Sequence, residues 1–381
     1  MMITDVFIYK FDLNLPEPFV VSSGTHIKAK NILVILDTDE GFRGYGECLP
    51  WKPISGDTQT EALKFLKKAK PTLIGKDPQD IEGIHRFLSR LEAETGQNVR
   101  AAKSAVDFAC YDIIGKTTKK PVYQILGFQE PRVVPSTITV GLHKPERMVE
   151  IARKYMRRFE ENGLERIKLK LKGDPEIDSK RVRSVAEIFP GELTLDVNQG
   201  FRDPEMAVEF FNELYEEFGD RILLVEEPSP QGNLEKMRRI KENSRIPIFA
   251  DESASNIDDV ARIIDERAAD GINIKLEKVG GIYWGKRIAE LAAEGGIGVM
   301  VGCTLSCGIS IAASAHFAAG TGNVTNADID SDFYFNLNML EEGVGFKYGA
   351  RLPSSKPGLG VKLKSWVEAL LQRDIVVARY P

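Results

Sequence analysis

The chain has 381 residues, 43% of them hydrophobic, which is enough for one large folded unit and a smaller second one. Its formal net charge of −5, with lysines dispersed along the sequence, argues against a nucleic-acid-binding surface, because phosphate binding needs a concentrated basic face. Four cysteines are too few for a disulfide scaffold in a chain of this length, so we expect buried free thiols. The N-terminal stretch has no basic region followed by an apolar core, so we expect no secretory signal and a cytoplasmic protein.

The first part of the chain, residues 1–130, shows strand patterns followed by helical ones, which is typical of an α+β domain. Strand-like stretches occupy 6–11, 31–36 and 42–46, and the turn residues at 37–41 predict a hairpin between the last two. Apolar residues then recur at helical spacing over 102–113 and predict a helix with one buried stripe.

From residue 131 to 328 strand and helix patterns alternate, which favours a parallel sheet with crossover helices. The spacing predicts strands at 136–141, 166–171, 193–197, 222–226, 247–251, 272–276, 297–302 and 322–328. Eight strands at this spacing fit a parallel barrel, and seven would also be consistent. The remainder, 329–381, is rich in turn residues, and we expect it to return to the first domain.

One stretch without charged residues, 295–327, is long enough to cross a bilayer. Gly, Ser, Thr and Asn interrupt it repeatedly, and a buried strand followed by a packed helix has the same composition. We therefore predict a barrel strand and helix here and no membrane association.

Charged residues close the successive apolar runs of the barrel region at intervals of 24–30 residues. The series comprises Lys170, Asp196, Glu226, Asp251, Lys275, Gly302 and Asp328, of which Gly302 alone is uncharged. One strand, one helix and two loops need about 25–35 residues. A parallel barrel brings the carboxyl ends of its strands to one rim, where active sites are built, so the series predicts a cluster of acids and lysines.

A single acid at a strand end is usually a loop residue or a helix cap. Three of them on successive strands, Asp196, Glu226 and Asp251, would repel one another unless a cation neutralised them. Three carboxylate oxygens with room for water and substrate suit Mg²⁺, and Mn²⁺ would fit nearly as well. We predict a metal site with these three ligands.

The lysines flank these acids along the sequence. Lys168, Lys170 and Lys172 alternate along one predicted strand, so we expect them to share a face. On an exposed edge strand they would be solubilising charge. Inside a barrel, neighbouring ammonium groups lower one another's pKa, which favours a neutral amine that can accept a proton. Lys275 lies in an otherwise apolar strand, which also indicates a functional role.

The motifs at these positions resemble the active-site signature of the enolase superfamily, within it the muconate-lactonizing subgroup. They are Lys168-Leu-Lys170, Asp196-Val-Asn-Gln199, Val225-Glu-Glu-Pro228, Ala250-Asp-Glu-Ser253 and Asn273-Ile-Lys-Leu276, with Gly44-Tyr-Gly-Glu47 and Pro357-Gly-Leu-Gly360 outside the barrel. The resemblance implies a modified TIM barrel of (β/α)7β type with an α+β capping domain. It also implies a Lys base and a metal-stabilised enediolate, the chemistry for which this superfamily is a standard example.

The subgroup includes dipeptide epimerases, N-acylamino-acid racemases and o-succinylbenzoate synthases. Asp328-Ile-Asp330 resembles the element by which dipeptide epimerases hold the substrate's α-ammonium group. The resemblance implies that Lys170 and Lys275 are the two bases, Lys170 facing the L-isomer. It further implies substrate contacts from Thr137, Lys168, Cys303 and Leu305, and it leaves a homo-oligomer as one option.

Three positions depart from the subgroup's pattern. The Lys-x-Lys element is usually followed by an apolar residue and glycine, but here Lys172 separates Leu171 from Gly173, so Lys172 is the alternative to Lys170. Ser306 occupies a position where members often carry Glu. Gly24 replaces the arginine with which alanylglutamate epimerases bind an acidic side chain, so we expect a dipeptide with a neutral or apolar C-terminal residue. The N-acylamino-acid racemase or o-succinylbenzoate synthase activity is the alternative, and a non-catalytic metabolite-binding barrel is a further one.

Overall fold

A computed structural model of the chain describes residues 1–21, 24–336 and 338–371. Its first part contains β1 (Ile3–Val21), β2 (Gly24–Thr38), β3 (Arg43–Cys48), α1 (Lys52–Ser55), α2 (Gln59–Leu73), α3 (Ile81–Thr95), α4 (Arg100–Thr118) and α5 (Val122–Ile125). The strands form an antiparallel sheet in the order β1-β2-β3. The predicted strands, the hairpin and the helix over 102–113 are therefore confirmed.

Helix α4 packs directly on the backbone of β3. A Cβ atom added to Gly46 would lie 1.8 Å from the Ala105 carbonyl oxygen, and one added to Gly44 would lie 2.1 Å from that of Ala109. Only glycine allows this close approach. The apolar stripe predicted on α4 is buried here and joins the core that α2 and α3 form with one face of the sheet.

The barrel region alternates strands and helices. It contains β4 (Ile138–Val140), α6 (Pro145–Arg158), β5 (Arg166–Lys170), α7 (Pro175–Ile188), β6 (Glu192–Asp196), α8 (Pro204–Phe218), β7 (Ile222–Glu226), α9 (Leu234–Asn243), β8 (Ile248–Ala250), α10 (Ile257–Asp265), β9 (Gly271–Lys275), α11 (Leu276–Val279), α12 (Ile282–Glu294), β10 (Gly298–Gly302), α13 (Ile309–Ala319) and β11 (Val324–Asp328). Short 3₁₀ helices lie at Glu160–Asn162, Gly219–Arg221 and Ser331–Tyr334. Asp-Pro pairs begin two of the helices: Asp174 caps α7 and Asp203 caps α8, each with proline at the first helical position.

The eight strands from β4 to β11 are parallel and lie in sequence order. The two ends of this sheet meet where the Thr137 N–H donates to the Ala327 carbonyl at 2.9 Å and Ser136 bridges Ala327. Seven crossover connections therefore link eight strands, and the predicted (β/α)7β barrel with an α+β capping domain is confirmed.

The register of the strands confirms that their carboxyl ends meet at one rim. Lys170 pairs with Asp196, and Asp196 pairs with Glu226. Farther round the barrel, Gly302 pairs with both Lys275 and Asp328. Strand ends that are separated by 24–30 residues in sequence are thus neighbours in space.

The last part of the chain contains β12 (Leu340–Glu342), β13 (Gly345–Lys347), β14 (Ala350–Leu352), β15 (Lys362–Leu363) and α14 (Ser365–Leu371). It contacts the first part of the chain near Pro357–Gly360. The Leu359 N–H donates to Asp112 of α4 at 2.9 Å, and the Val122 N–H of α5 donates to the Gly358 carbonyl at 3.0 Å. The boundaries at 130 and 328 stay predictions, and residues 372–381 lie outside the described part.

The charge-free stretch 295–327 forms β10, α13 and most of β11, as predicted. Helix α13 is buried along its whole length. In the described residues, no helix has both the length and the apolar character needed to cross a membrane.

Candidate active site

The three predicted metal ligands lie at the barrel rim. Asp196 ends β6, Glu226 ends β7 and Asp251 follows β8, and all three side chains are fully buried. Within residues 1–21, 24–336 and 338–371, no three Asp, Glu, His or Cys side chains are gathered so as to hold a metal ion as they stand. Ammonium groups of the rim lysines lie against the inner carboxylate oxygens.

Each rim lysine pairs with these carboxylates. The Lys168 Nζ lies 2.7 Å from Glu226 Oε2 and 2.6 Å from Asp328 Oδ2. The Lys170 Nζ lies 2.5 Å from Asp196 Oδ2. On the other side of the triad, the Lys275 Nζ lies 2.5 Å from Asp251 Oδ2.

The pKa of the lysines differs from the sequence-based expectation. Burial opposes the charge on Lys168 and on Lys275, yet the carboxylates around them raise the pKa of both above the ordinary value. The predicted lowering of lysine pKa by neighbouring ammonium groups is therefore wrong for Lys168. Opposite charges at hydrogen-bond distance outweigh both the desolvation and the repulsion between lysines.

The carboxylates share a feature that bears on metal binding. One oxygen of each is held by a donor of the protein: Asp196 Oδ1 by the Asn198 N–H at 3.0 Å, Glu226 Oε1 by Asn273 Nδ2 at 2.7 Å, and Asp251 Oδ1 by Lys278 Nζ at 2.7 Å. The second oxygen of each faces the lysines.

The inward oxygen of Glu226 is a good test of whether a metal would fit. Glu226 Oε2 is buried, and it faces the Lys168 ammonium at 2.7 Å. Burial raises the pKa of Glu226 to about 7, although the Lys168 ammonium opposes the rise. Three inward carboxylate oxygens, each facing a lysine cation, are the hard monodentate ligands that Mg²⁺ prefers, so the residues fit this ion.

The structure separates Lys170 from Lys172. Lys170 ends β5 and lines the central cleft, whereas Lys172 lies beyond the strand and is exposed. The Asp178 carboxylate accepts the backbone N–H groups of Lys172, Gly173 and Asp174 and turns the chain away from the rim. The expectation that Lys168, Lys170 and Lys172 share a face is therefore wrong for Lys172.

Asp328 and Asp330 both lie at the rim, in different surroundings. Asp328 Oδ1 accepts the hydroxyl groups of Thr137 at 2.9 Å and Thr139 at 3.0 Å, while its other oxygen pairs with Lys168. Asp330 Oδ2 accepts the Thr139 N–H at 2.6 Å and the Tyr334 hydroxyl.

The second oxygen of Asp330 has only a weak contact. Asp330 Oδ1 is 3.9 Å from the Cys303 thiol, and no lysine or arginine pairs with Asp330 within the described residues. Burial, and then the nearby Asp328 carboxylate, raise the pKa of Asp330 to about 7.

A single cleft joins these groups. Its walls include the rim residues Lys170, Lys275, Cys303, Leu305, Asp328 and Asp330. Thr139 lines the cleft, whereas Thr137 is buried beneath Asp328. The part of the predicted substrate set that faces the cleft is therefore Cys303, Leu305, Asp328 and Asp330.

The capping domain closes the cleft with apolar side chains that the sequence did not single out. Phe19 at the end of β1 stacks on Tyr334 at 5.0 Å between ring centroids, and Trp51 and Ile54 lie on the same side. The Leu142 N–H at the barrel rim donates to the Val20 carbonyl at 3.0 Å and fixes the tip of the β1–β2 ribbon over the barrel. Residues 22 and 23, between β1 and β2, lie outside the described part.

Two buried carboxylates hold the loop after β10, which carries Cys303 and Leu305. Glu277 accepts the hydroxyls of Thr304 at 3.1 Å and Ser310 at 2.5 Å, and also that of Ser306. Glu277, on α11 directly after the neighbouring strand β9, therefore places a carboxylate against Ser306. The second carboxylate, Glu47 of the capping domain, accepts the backbone N–H groups of Cys307 and Gly308.

Two family models match the chain. Residues 3–127 match the mandelate racemase / muconate lactonizing enzyme N-terminal domain, and residues 150–367 match the enolase C-terminal domain-like family. A hydrophobic dipeptide epimerase of Enterococcus faecalis is 32% identical over 95% of this chain and 99% of its own length. An N-succinyl-L-Arg/Lys racemase of Bacillus cereus is 31% identical over 99% of this chain and 100% of its own.

A solved structure shows the same fold. The E. faecalis dipeptide epimerase complexed with Mg and L-Leu-L-Tyr superposes with a TM-score of 0.88 at 32% identity, over 95% of this chain and 100% of the other. These two relatives, which match over nearly the full length, are an epimerase and a racemase. The chain belongs to the mandelate racemase / muconate lactonizing enzyme family of the enolase superfamily and is an isomerase of the epimerase and racemase type.

Proposed function

We propose that this protein is a Mg²⁺-dependent dipeptide epimerase that moves a proton at the α-carbon of the substrate's C-terminal residue through an enediolate. One observation carries the proposal. Lys170 on β5 and Lys275 on β9 line the same cleft, and the three strands between them carry Asp196, Glu226 and Asp251. A carboxylate-bearing carbon placed over the triad would have one ammonium or amine group on each face.

Asp196 Oδ2, Glu226 Oε2 and Asp251 Oδ2 would hold the Mg²⁺, and Mn²⁺ fits the same donors. The bound ion would supply electrostatic stabilisation of the charge that develops on the substrate carboxylate, which is the largest requirement for removing so weakly acidic a proton. The E. faecalis structure that contains Mg and a dipeptide supports this assignment.

The two lysines would perform the proton transfer. With their carboxylate partners holding a cation, Lys170 and Lys275 would be released from these ion pairs, and their amino groups would face the substrate. Family analogy gives Lys170 the α-proton of the L-isomer and Lys275 that of the D-isomer. Their side chains are 10% and 9% exposed, so the site restricts the access of water to the groups that would react.

Asp330 is the carboxylate best placed for the substrate's α-ammonium group. Asp328 already pairs with Lys168, whereas Asp330 keeps one oxygen directed at the cleft. Buried carboxylates seek a cationic partner because an uncompensated charge is costly in a protein interior. We therefore assign the ammonium contact mainly to Asp330, with Asp328 beside it.

The capping domain favours a neutral or apolar C-terminal side chain. Phe19, Trp51 and Ile54 face the cleft from the cap, and Leu305 faces it from the barrel. Gly24, where an arginine would favour an acidic substrate, has no side chain. The hydrophobic dipeptide epimerase among the relatives supports this choice.

An N-acylamino-acid racemase is the second candidate, and o-succinylbenzoate synthase chemistry would use the same groups. The B. cereus N-succinyl-L-Arg/Lys racemase, which matches nearly the whole chain, favours it. Such substrates have no α-ammonium group, so Asp330 would have no partner in the complex. The pairing of Asp330 therefore separates the two candidates.

Solvent deuterium uptake tests the proposal. We expect the Mg²⁺-loaded enzyme in D₂O to exchange the α-proton of apolar L,L-dipeptides, and to leave matched N-succinylamino acids almost unchanged. Lys275→Ala should abolish epimerisation but retain exchange into one stereoisomer, and Lys170→Ala should retain exchange into the other. Lys172→Ala, at the exposed neighbouring position, is the matched control and should keep full activity. Faster exchange with N-succinylamino acids than with dipeptides would show that the protein is an N-acylamino-acid racemase instead. Equal exchange into both isomers by Lys275→Ala would exclude the two-lysine mechanism.

A further inference from the structure

Asn273 and Lys278 lie close to Lys275 in the sequence, and their side chains donate hydrogen bonds to carboxylates at the ends of other strands. We propose that Asn273 and Lys278 are positioning residues of the metal site: each fixes one oxygen of a ligand and so determines which oxygen is presented to the ion. This inference rests on the metal site of the proposed function.

Asn273 controls Glu226. Its amide is fully buried, and Nδ2 donates to Glu226 Oε1 at 2.7 Å. Gly302 on the adjacent strand leaves the space for this amide, because a Cβ there would lie 2.7 Å from Asn273 Oδ1 and 2.8 Å from Nδ2. With Oε1 engaged, only Oε2 of Glu226 points toward the centre of the site.

Lys278 controls Asp251. It lies on α11, three residues after Lys275, and its side chain is 0% exposed. Its Nζ donates to Asp251 Oδ1 at 2.7 Å, to the Asp251 carbonyl at 2.5 Å and to the Asn273 carbonyl at 2.7 Å. Three acceptors use all three N–H bonds of the ammonium group, so Lys278 is fixed and cannot serve as a second base.

The contacts of Asn273 and Lys278 both restrict the orientation of a carboxylate ligand. A carboxylate with both oxygens free can rotate, or bind an ion through both oxygens, whereas one held at a single oxygen is a monodentate ligand with a defined direction. Asp196 receives the same restraint from the Asn198 backbone N–H, which no side-chain substitution removes. Asn273 and Lys278 also place two ligands in a fixed relation to Lys275, because all three residues belong to one strand and its short following helix.

Metal binding to the full-length, metal-stripped protein tests the inference without any substrate. The free Mn²⁺ signal in electron paramagnetic resonance gives the dissociation constant for the parent, Asn273→Ala and Lys278→Met. Loss of a group that orients a metal ligand typically weakens metal affinity by about 10–100-fold, and we expect that range for both variants. Thr194→Val is the matched control. Thr194 is buried in the barrel two residues before Asp196, a position equivalent to that of Asn273 before Lys275. The Thr194 hydroxyl makes no hydrogen bond within the described residues.

The outcomes are distinct. Weaker Mn²⁺ binding by both variants, with the parent value retained in Thr194→Val, supports the positioning role. Dissociation constants within twofold of the parent, with only a lower melting temperature, overturn it and leave the metal site standing. A parent protein that binds no Mn²⁺ overturns both the positioning role and the metal site. If Lys278→Met does not fold, Asn273→Ala, which removes a neutral amide, decides the result alone.

Discussion

Replacing Asp330 with Asn should weaken dipeptide binding and leave the fold intact. Asn keeps an oxygen that can accept the Thr139 N–H and the Tyr334 hydroxyl, the two donors that hold Asp330 in place. Its amide nitrogen would then occupy the position of Oδ1, which faces the cleft near Cys303. The substitution thus removes the negative charge at the proposed ammonium site and changes little else.

The size of the effect follows from the contact that is lost. A hydrogen bond to a charged group contributes about 1.5–3 kcal/mol, and each 1.4 kcal/mol is a factor of ten in affinity. We expect the KM for dipeptides to rise roughly 10–100-fold in Asp330→Asn, with a smaller change in kcat, because the ammonium group is remote from the α-carbon that reacts. Asp328→Asn should also raise KM, but it frees Lys168 from its ion pair and therefore should lower kcat as well.

The pH profile provides an independent check of Asp330→Asn. Burial and Asp328 raise the pKa of Asp330 to about 7, and only the ionised form, which predominates above that pH, can pair with an ammonium group. For the parent, kcat/KM should therefore fall as the pH decreases through about 7, and this limb should be lost in Asp330→Asn. An N-acetylated dipeptide, which has no ammonium group, should be a poor substrate for both proteins. If Asp330→Asn retains the parent KM for free dipeptides and the parent prefers the acetylated compound, the assignment of Asp330 is wrong.

Two further predictions concern the metal site and the fold. Glu226→Gln should abolish turnover at limiting Mg²⁺, because a neutral ligand lowers the affinity of the site for the ion and, with it, for the substrate carboxylate. Near-normal rates measured by polarimetry would refute the ligand assignment. His316 accepts the Tyr123 N–H at Nδ1 and contacts the Leu359 carbonyl through Nε2, and burial lowers its pKa from 6.5 to about 4. A group with a lowered pKa in the folded state contributes stability that is present above pH 6.5 and is lost as the pH falls toward 4. The free energy of unfolding should therefore be about 2 kcal/mol lower at pH 5 than at pH 8 because of His316. The urea midpoint of His316→Gln should depend less on pH over that interval than the parent's, and identical dependence would show that His316 does not carry this loss.

Much of the barrel could be predicted from the sequence because its signals are local. Buried parallel strands appear as short apolar runs, so all eight strands fall at or close to their predicted positions. The register then places Lys170, Asp196 and Glu226 side by side without further information. Residue spacing is sufficient to predict neighbouring strand ends where the fold repeats one β-strand and helix unit.

The errors and omissions arise where contacts depend on side-chain direction or on distant segments. The prediction for Lys172 failed because Asp178, in the following helix, turns the chain after β5. Thr139 rather than Thr137 lines the cleft, although the hydroxyls of both donate to the same oxygen of Asp328. Asn273 and Lys278 occur within or beside a recognised motif, yet their partners are acids on other strands, and periodicity contains no information about such pairs.

The cap illustrates why specificity was harder to predict than chemistry. Glu47 lies near the end of β3, and its carboxylate accepts the N–H groups of Cys307 at 2.6 Å and Ile309 at 2.9 Å at the start of α13. A carboxylate at a helix N-terminus is stabilised by the unpaired N–H groups there, so this contact joins the two domains firmly. The same α13 end follows the loop that carries Leu305, which faces Phe19 and Trp51 across the cleft. The buried Glu47 carboxylate thus helps to hold the apolar wall of the cap at a fixed distance from that of the barrel. Which substrate side chains fit between the two walls depends on how the two domains dock. The order of motifs along the chain contains no information about this docking.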